Sequence, residues 1–153
     1  MADLSKVVDY EKTYPIKIKT PDGEELGITI NVVSKDSKRV VSALRDFQAD
    51  VWDAAVSAGV AEEAVEETWR EKLKRIEAHG IATIIACIDS WDWGDHNFEH
   101  ISGSGPASYE DREFLVRHAN SQWIVEQIAG PVNAIENFMQ PLPKSARTTS
   151  KKT

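Results

Sequence analysis

The sequence predicts a mainly α-helical domain of the α+β class, in which a compact helical bundle packs on a small N-terminal β-hairpin. Apolar residues recur at helical spacing over most of residues 37–138, whereas a period-two pattern is confined to residues 14–33. The chain has 153 residues. This is the length of one domain, which can bury a core without the help of disulfides or a structural metal. These observations favour one domain over residues 13–140, between a flexible N-terminus at 1–12 and a basic disordered tail at 141–153.

The predicted hairpin consists of two alternating runs on either side of an Asp-Gly turn at Asp22-Gly23. Its apolar positions are Tyr14, Ile16, Ile18, Leu26, Ile28, Ile30 and Val32. Alternation around such a turn is typical of a β-hairpin, here over residues 14–33. Because a lone two-stranded hairpin is marginal in water, its apolar face must lie on the helices, or its edge must pair with another chain.

Four helices are predicted from the 3.6-residue periodicity, at about residues 37–58, 61–89, 109–119 and 121–138. Trp52 and Trp69 fall at helical spacing with other apolar residues of the first two helices, so both are expected in the core. The pair Gly130-Pro131 predicts a kink or a break in the last helix, because proline removes a backbone donor and clashes with the preceding turn.

The most apolar run of the chain begins at Ile81 and continues the second helix to about Asp89. Residues 89–107 then combine two tryptophans with several turn-forming residues. They are predicted to form an anchored loop, since Gly94, Gly103 and Gly105 disfavour a long regular element. A short strand around Asn97–Ile101 is an alternative for part of this segment.

Charge and cysteine content narrow the functional classes. The whole chain carries −7, and residues 141–153 carry four bases and no acid, so the other 140 residues stand at −11. An acidic body disfavours nucleic acid as a partner. The single cysteine, Cys87, excludes an intrachain disulfide, and its apolar surroundings predict a buried, unreactive thiol with a raised pKa. No run approaches the roughly 20 apolar residues of a membrane span, and no signal-peptide pattern opens the chain.

The segment His96-Asn97-Phe98-Glu99-His100 matches the H-x-x-E-H pattern of zinc hydrolases. That chemistry needs both imidazoles on one helix face and a third ligand from elsewhere. No helical pattern supports these residues between Gly94 and Gly103, so the sequence predicts no catalytic residue, no metal and no cofactor. A weak metal site at Asp95, His96 and His100, or a small hydrolase using His96, Glu99 and His100, are the alternatives.

Aromatic residues flanking a turn are the remaining signal for function. Such residues are enriched in protein–protein interfaces. The candidate partner-binding residues are therefore Trp91, Trp93 and Phe98 of the loop and Ile28 and Ile30 of the hairpin. Burial of Trp91 and Trp93 in the core is the alternative interpretation.

The order of motifs in the second half of the chain resembles a known family. An apolar helix ends in a tryptophan turn at 81–93, a glycine-rich loop with Phe98 follows, and a capped helix begins after Ser108. The last helix carries the motif Trp123-Ile124-x-x-Gln127-Ile128 and leads to Glu136-Asn137-Phe138. Over about residues 14–140, including the Asp22-Gly23 hairpin, this order resembles the tail assembly chaperones of long-tailed bacteriophages.

The resemblance implies a non-enzymatic role in virion morphogenesis. Such a chaperone works in the host cytoplasm, coats the tape measure protein, aids recruitment of the major tail tube protein, and is absent from the mature virion. It also implies self-association along the tape measure rod. The alternatives are a structural or accessory tail or capsid protein that stays in the virion, and a regulatory module that binds a host protein.

Overall fold

The computed structural model of the chain describes residues 4–57 and 69–140. In chain order the strands and helices are β1 (Tyr14–Lys19), β2 (Glu25–Val32), α1 (Lys38–Ser57), α2 (Trp69–Cys87), β3 (Ile88–Phe98), β4 (Ile101–Pro106), α3 (Tyr109–Arg117) and α4 (Gln122–Asn133). Short 3-10 turns lie at Leu4–Lys6, Ala119–Ser121 and Ile135–Phe138. The predicted basic tail at 141–153 and the predicted start of the second helix at 61–68 lie outside the described residues.

The four strands form one antiparallel sheet in the order β1-β2-β3-β4. The fold is α+β with a full sheet, and the prediction of a mainly helical bundle on a small N-terminal hairpin is wrong. Strands β3 and β4 come from residues 89–107, where the glycines led us to expect a loop. Gly103 and Gly105 take positive φ angles inside β4, so they bend that strand without preventing its pairing with β3.

The N-terminal hairpin is present within the predicted residues 14–33. Its core-facing residues pair across the two strands, with Ile16 opposite Ile30 and Ile18 opposite Ile28. The other side of β2 pairs with β3, where Ile30 lies opposite Trp91. The hairpin is therefore half of a larger sheet, in which β2 lies between β1 and β3.

Helix α2 passes into β3 without a turn, because the helix ends at Cys87 and the strand begins at Ile88. The last carbonyl groups of a helix have no partner within the helix. The Arg39 guanidinium supplies donors there, with Nε and Nη2 at 3.1 and 2.9 Å from the Ala86 carbonyl oxygen. Its Nη2 also donates to the Ile88 carbonyl, and its Nη1 lies 2.8 Å from the Asp89 carboxylate.

A second arginine reaches the same junction from α3. Arg112 Nη1 donates to the carbonyl oxygens of Ile85 at 2.8 Å and Ile88 at 3.2 Å. Burial lowers the pKa of Arg112, and the nearby charge of Arg39 lowers it further. Two cations at the negative end of the α2 dipole stabilise an abrupt change from helix to strand.

The other helices follow the sequence closely. Helix α1 was predicted at 37–58 and spans Lys38–Ser57, and α3 was predicted at 109–119 and spans Tyr109–Arg117. The Ser108 hydroxyl caps α3 by accepting a hydrogen bond from the Asp111 amide at 3.2 Å. Helix α4 continues through Gly130-Pro131 and ends at Asn133, so the break falls three residues later than the glycine.

The core lies between one face of the sheet and the inner parts of the helices. Its members are alternate residues of β1, β2 and β3 together with apolar residues of α2, α3 and α4, among them Ile18, Ile30, Trp93, Ile85, Leu115, Ile124 and Ile128. At the N-terminus, which was expected to be flexible over residues 1–12, Val8 pairs with Met139 and the Asp9 amide donates to the Phe138 carbonyl at 2.8 Å.

Candidate functional site

Four of the five predicted partner-binding residues lie in the core. Trp91 and Trp93 are 5% and 1% exposed, with their rings edge to face at 5.7 Å, and Ile28 and Ile30 are also buried. They face the helices from the inner side of the sheet, so this fold offers no accessible surface at those positions. The alternative interpretation, core packing of the two tryptophans, matches their placement.

Phe98, the fifth predicted residue, anchors the β3–β4 turn to α3. Its ring lies edge to face with Phe114 at 6.2 Å and with His118 at 5.0 Å. The His118 Nε2 atom is 3.6 Å from the Glu99 carboxylate. These contacts give Phe98 a packing role between the β3–β4 turn and α3.

The H-x-x-E-H residues do not converge. His100 Nε2 lies 3.0 Å from the Asp111 carboxylate of α3, while Glu99 occupies the turn with a positive φ of 52°. Among residues 4–57 and 69–140, no three histidine, cysteine or carboxylate side chains are placed to hold a metal ion. The geometry therefore gives no support to the hydrolase alternative or to the weak metal site at Asp95, His96 and His100.

The outer edge of the hairpin is occupied as well. The Gln127 side chain of α4 accepts from the Lys19 amide and donates to the Lys19 carbonyl, each at 2.9 Å. This side chain takes the place of a neighbouring strand at that end of β1, and Pro15 lacks an amide hydrogen at the other end. Pairing of this edge with another chain, which the sequence left open, is thus opposed at both ends of the strand. The contact also gives a structural role to the glutamine of the W-I-x-x-Q-I motif.

The tryptophans of the first two helices are exposed. Trp52 is 56% and Trp69 70% exposed, together with Leu73 at 47% and Ile76 at 56%, so the prediction that both tryptophans lie in the core is wrong. Helix α1 packs mainly against α2. All nine residues of α2 from 69 to 77 are exposed, so no other described element covers this half of α2.

Closer to the body, α1, α2 and α4 surround a groove of about 730 Å³. Apolar residues of all three helices line it, namely Val41, Leu44, Ile84, Ala129 and Val132. Lys35, Arg45 and His79 stand among the polar residues of its walls. A Cβ placed on Gly80 would have no neighbouring atom within 4 Å, so the groove is open at the point where this glycine lies. We call this feature the groove.

The groove continues outward as an apolar strip. On α2, Gly80 is followed at helical spacing by Ile76, Leu73 and Trp69, which therefore share its face. On α1, Trp52 lies four residues beyond Gln48, which lines the groove. We call residues 46–57 of α1 and 69–77 of α2 the arm. Periodicity predicted which face of each helix is apolar, but no sequence signal indicated that this face is left uncovered.

Two further features bear on function. Cys87 is buried, and burial raises the pKa of its thiol to about 12, which confirms the expected environment. Within the two described ranges, no helix combines the length and apolarity required to cross a bilayer.

Comparison of the chain with family models, with curated proteins and with solved structures gives no match. The groove and the arm are thus the features of the described residues from which a function can be argued, beside the resemblance carried by the sequence motifs.

Proposed function

We propose that this protein is a tail assembly chaperone of a long-tailed bacteriophage. It acts in the host cytoplasm, holds a helix of the tape measure protein in the groove, and aids recruitment of the major tail tube protein. It acts by binding, without a reaction, and is absent from the mature virion. The observation that carries this proposal is an apolar groove bounded by three helices and open to solvent.

The shape of the groove suits a helical ligand. An amphipathic helix binds by laying its apolar face into a hydrophobic groove, with anchors repeating every three or four residues. Val41, Leu44 and Ile84 give the groove the apolar lining that such a helix needs. Lys35 and Arg45 can pair with acidic residues beside the helix's apolar stripe, and Asp36 with a basic one. A long helical rod with an exposed apolar stripe aggregates unless it is covered, which is the need that a tape measure chaperone meets.

The test fills the groove at Gly80. Gly80 lines the groove and a Cβ at this position meets no atom within 4 Å, so Gly80→Trp is designed to fill the groove with an indole. Gly80→Ala is the matched control, because it alters the same backbone position and leaves the groove empty. With tagged chaperone co-expressed with the tape measure protein, we expect Gly80→Trp to lower co-purification at least about tenfold, the equivalent of about 1.4 kcal/mol. The alanine variant should bind like the parent.

Circular dichroism on both variants controls for folding. Equal recovery of the tape measure protein with folded Gly80→Trp and with Gly80→Ala would contradict binding in the groove. Mass spectrometry of purified virions tests the remaining part of the proposal. A chaperone is missing from the particles, whereas a high copy number there would make the protein a structural or accessory tail component.

A further inference from the structure

The groove is closed at one end of α2 and open at the other. Cys87 shares the face of Gly80 at helical spacing and is fully buried, and Ile85 and Ala86 beside it are also buried. In the other direction, every residue from 69 to 77 is exposed. A helix that lies along α2 in the groove can therefore continue only outward, over the apolar strip.

The groove alone is too short for a stable helical ligand. It takes up residues 79–84 of α2, which correspond to about 9 Å of helix. Helices shorter than about 12–15 residues are marginal in water, so a helical ligand extends past this length. Ile76, Leu73 and Trp69 continue the face of Gly80 outward at helical spacing. The groove and the strip together follow about 22 Å of α2, which is the length of about 15 helical residues.

Basic side chains lie beside this extended surface on both helices. Arg45 lines the groove and shares the face of α1 on which Trp52 lies, because the two residues are two helical turns apart. On α2, Lys72 lies one turn from both Trp69 and Ile76. Its ammonium is 5.9 Å from the Trp69 ring centre, so the charge stands at the border of the strip.

The remaining charges beside the groove and the strip come in opposite pairs. Lys35 and Asp36 are neighbours in the groove wall, and Arg70 and Glu77 lie two turns apart on one flank of the strip. Four bases and two acids thus give this surface a net charge of +2, although the whole chain carries −7. The other charged residues of the exposed part of α2 fall on the far side of that helix, namely Glu71, Lys74 and Arg75.

We propose that the groove and the apolar strip together hold one continuous amphipathic helix of about 15 residues or more, whose apolar stripe is flanked by glutamate or aspartate. The apolar stripe covers the groove lining and the strip, and the acidic residues lie beside Arg45 and Lys72. The inference rests on the proposed function only in placing a helix in the groove. The length of that helix and its acidic flank are additional.

A bilayer surface is the other kind of ligand that exposed tryptophans beside cations can suit. The groove has walls from three helices, so a flat surface would leave its apolar lining uncovered. The charge of −7 on the whole chain also opposes an anionic membrane. The shape and the charge together favour a helix.

Two designed peptides test the charge of the ligand. Both have about 20 residues and the same leucine stripe, both are held helical by a hydrocarbon staple on the far face, and they differ only in carrying glutamate or lysine beside the stripe. Fluorescence anisotropy with the full chain measures their affinity. We expect the glutamate peptide to bind at least about tenfold more tightly, and added salt to weaken it. Equal or tighter binding of the lysine peptide, or no binding of the glutamate peptide at about 500 μM, overturns the proposal.

Lys72→Glu and Lys74→Glu are a matched pair for the position of the charge. Each reverses one charge on the same exposed part of α2, but only Lys72 borders the strip. We expect Lys72→Glu to weaken binding of the glutamate peptide by about fivefold or more and Lys74→Glu to change it by less than about twofold. Equal losses would show that only the net charge matters, which contradicts an acidic flank beside the strip.

Leu73→Glu tests contact with the strip, and Lys74→Gln is its control, since each lowers the net charge by one. Leu73→Glu should weaken the glutamate peptide at least about tenfold, whereas Lys74→Gln should bind it like the parent. Circular dichroism of each variant controls for folding. Loss of binding in Gly80→Trp but not in Leu73→Glu would confine the ligand to the groove and overturn this inference alone. Binding of the glutamate peptide as expected, with no capture of the tape measure protein, would contradict the proposed function alone.

The other occupants of the strip have their own readouts. Sedimentation of the parent, but not of Leu73→Glu, with phosphatidylglycerol vesicles would assign the strip to a lipid surface. A dimer in the analytical ultracentrifuge that Leu73→Glu dissociates and the glutamate peptide does not displace would assign it to a second copy of the chain. Either result overturns the proposal.

Discussion

Two pairs of tryptophans occupy opposite environments in this molecule. Trp91 and Trp93 lie at the centre of the sheet and are almost wholly buried, whereas Trp52 and Trp69 lie on the arm and are more than half exposed. Strand β3 has a neighbour on each side and helices over its inner face. Residues 69–77 of α2, by contrast, are all exposed. The comparison teaches that burial depends on the third element packed against a residue, and not on the local pattern around it.

The largest expected effect on stability comes from replacing one tryptophan of each pair by alanine. Trp93→Ala opens a cavity in the core and should lower the free energy of unfolding by about 3–5 kcal/mol. Trp69→Ala removes an exposed ring and should change it by no more than about 0.5 kcal/mol. Urea unfolding followed by circular dichroism measures both. Similar losses for the two variants would remove the distinction between the body and the arm.

The next effect concerns the junction between α2 and β3. Arg39→Ala leaves the Ala86 and Ile88 carbonyls without their guanidinium donors and should cost about 2 kcal/mol. Little of this comes from the half-exposed pair with Asp89. Arg117→Ala is the control, because its i,i+4 pair with Glu113 is long at 4.0 Å and exposed. Thermal unfolding in which both variants lose equally would contradict the capping role.

A smaller effect is expected at the edge of the body. Gln127→Ala removes both hydrogen bonds to the Lys19 backbone and should cost about 1 kcal/mol, since this contact is exposed. Gln127→Glu keeps an acceptor for the Lys19 amide and loses the donor to the Lys19 carbonyl. Its stability should therefore lie between those of the parent protein and Gln127→Ala. Hydrogen exchange at the Lys19 amide reports the contact directly, and an exchange rate unchanged in Gln127→Ala would rule it out.

The smallest effect has the opposite sign. Gly80→Ala should stabilise the protein by about 0.5–1 kcal/mol, because Gly80 lies inside a helix and the added methyl group meets open space. The same substitution at Gly94 should destabilise, since that residue has φ +58° and its Cβ would lie 3.1 Å from the Gly27 carbonyl oxygen. Destabilisation by Gly80→Ala would contradict the open space around a Cβ at this position.

Features set by short-range chemistry could be predicted from the sequence. The Asp22-Gly23 turn between two alternating runs predicts β1 and β2, and the cap at Ser108 predicts the start of α3. Helix α1 follows from its periodicity. In each case the residues that determine the element are its own neighbours in the chain.

Features that depend on distant partners could not be predicted. Strand β4 contains two positive-φ glycines and pairs only because β3 lies beside it. The end of α2 at Cys87 depends on Arg39 and Arg112, which are remote in sequence. Periodicity gave the apolar faces of α1 and α2 correctly, but whether a further layer covers them is a property of the whole fold. The sequence therefore placed the candidate site at the two tryptophans that are buried in this fold.

We propose above that a helix of the tape measure protein lies in the groove between α1, α2 and α4. Hydrogen–deuterium exchange of the free chain and of its complex with the tape measure protein tests this most directly. We expect slower exchange in the complex at residues 41–48 of α1 and 76–84 of α2, with the sheet unchanged. Slower exchange confined to β3 and β4, or none along α1 and α2, would contradict the account.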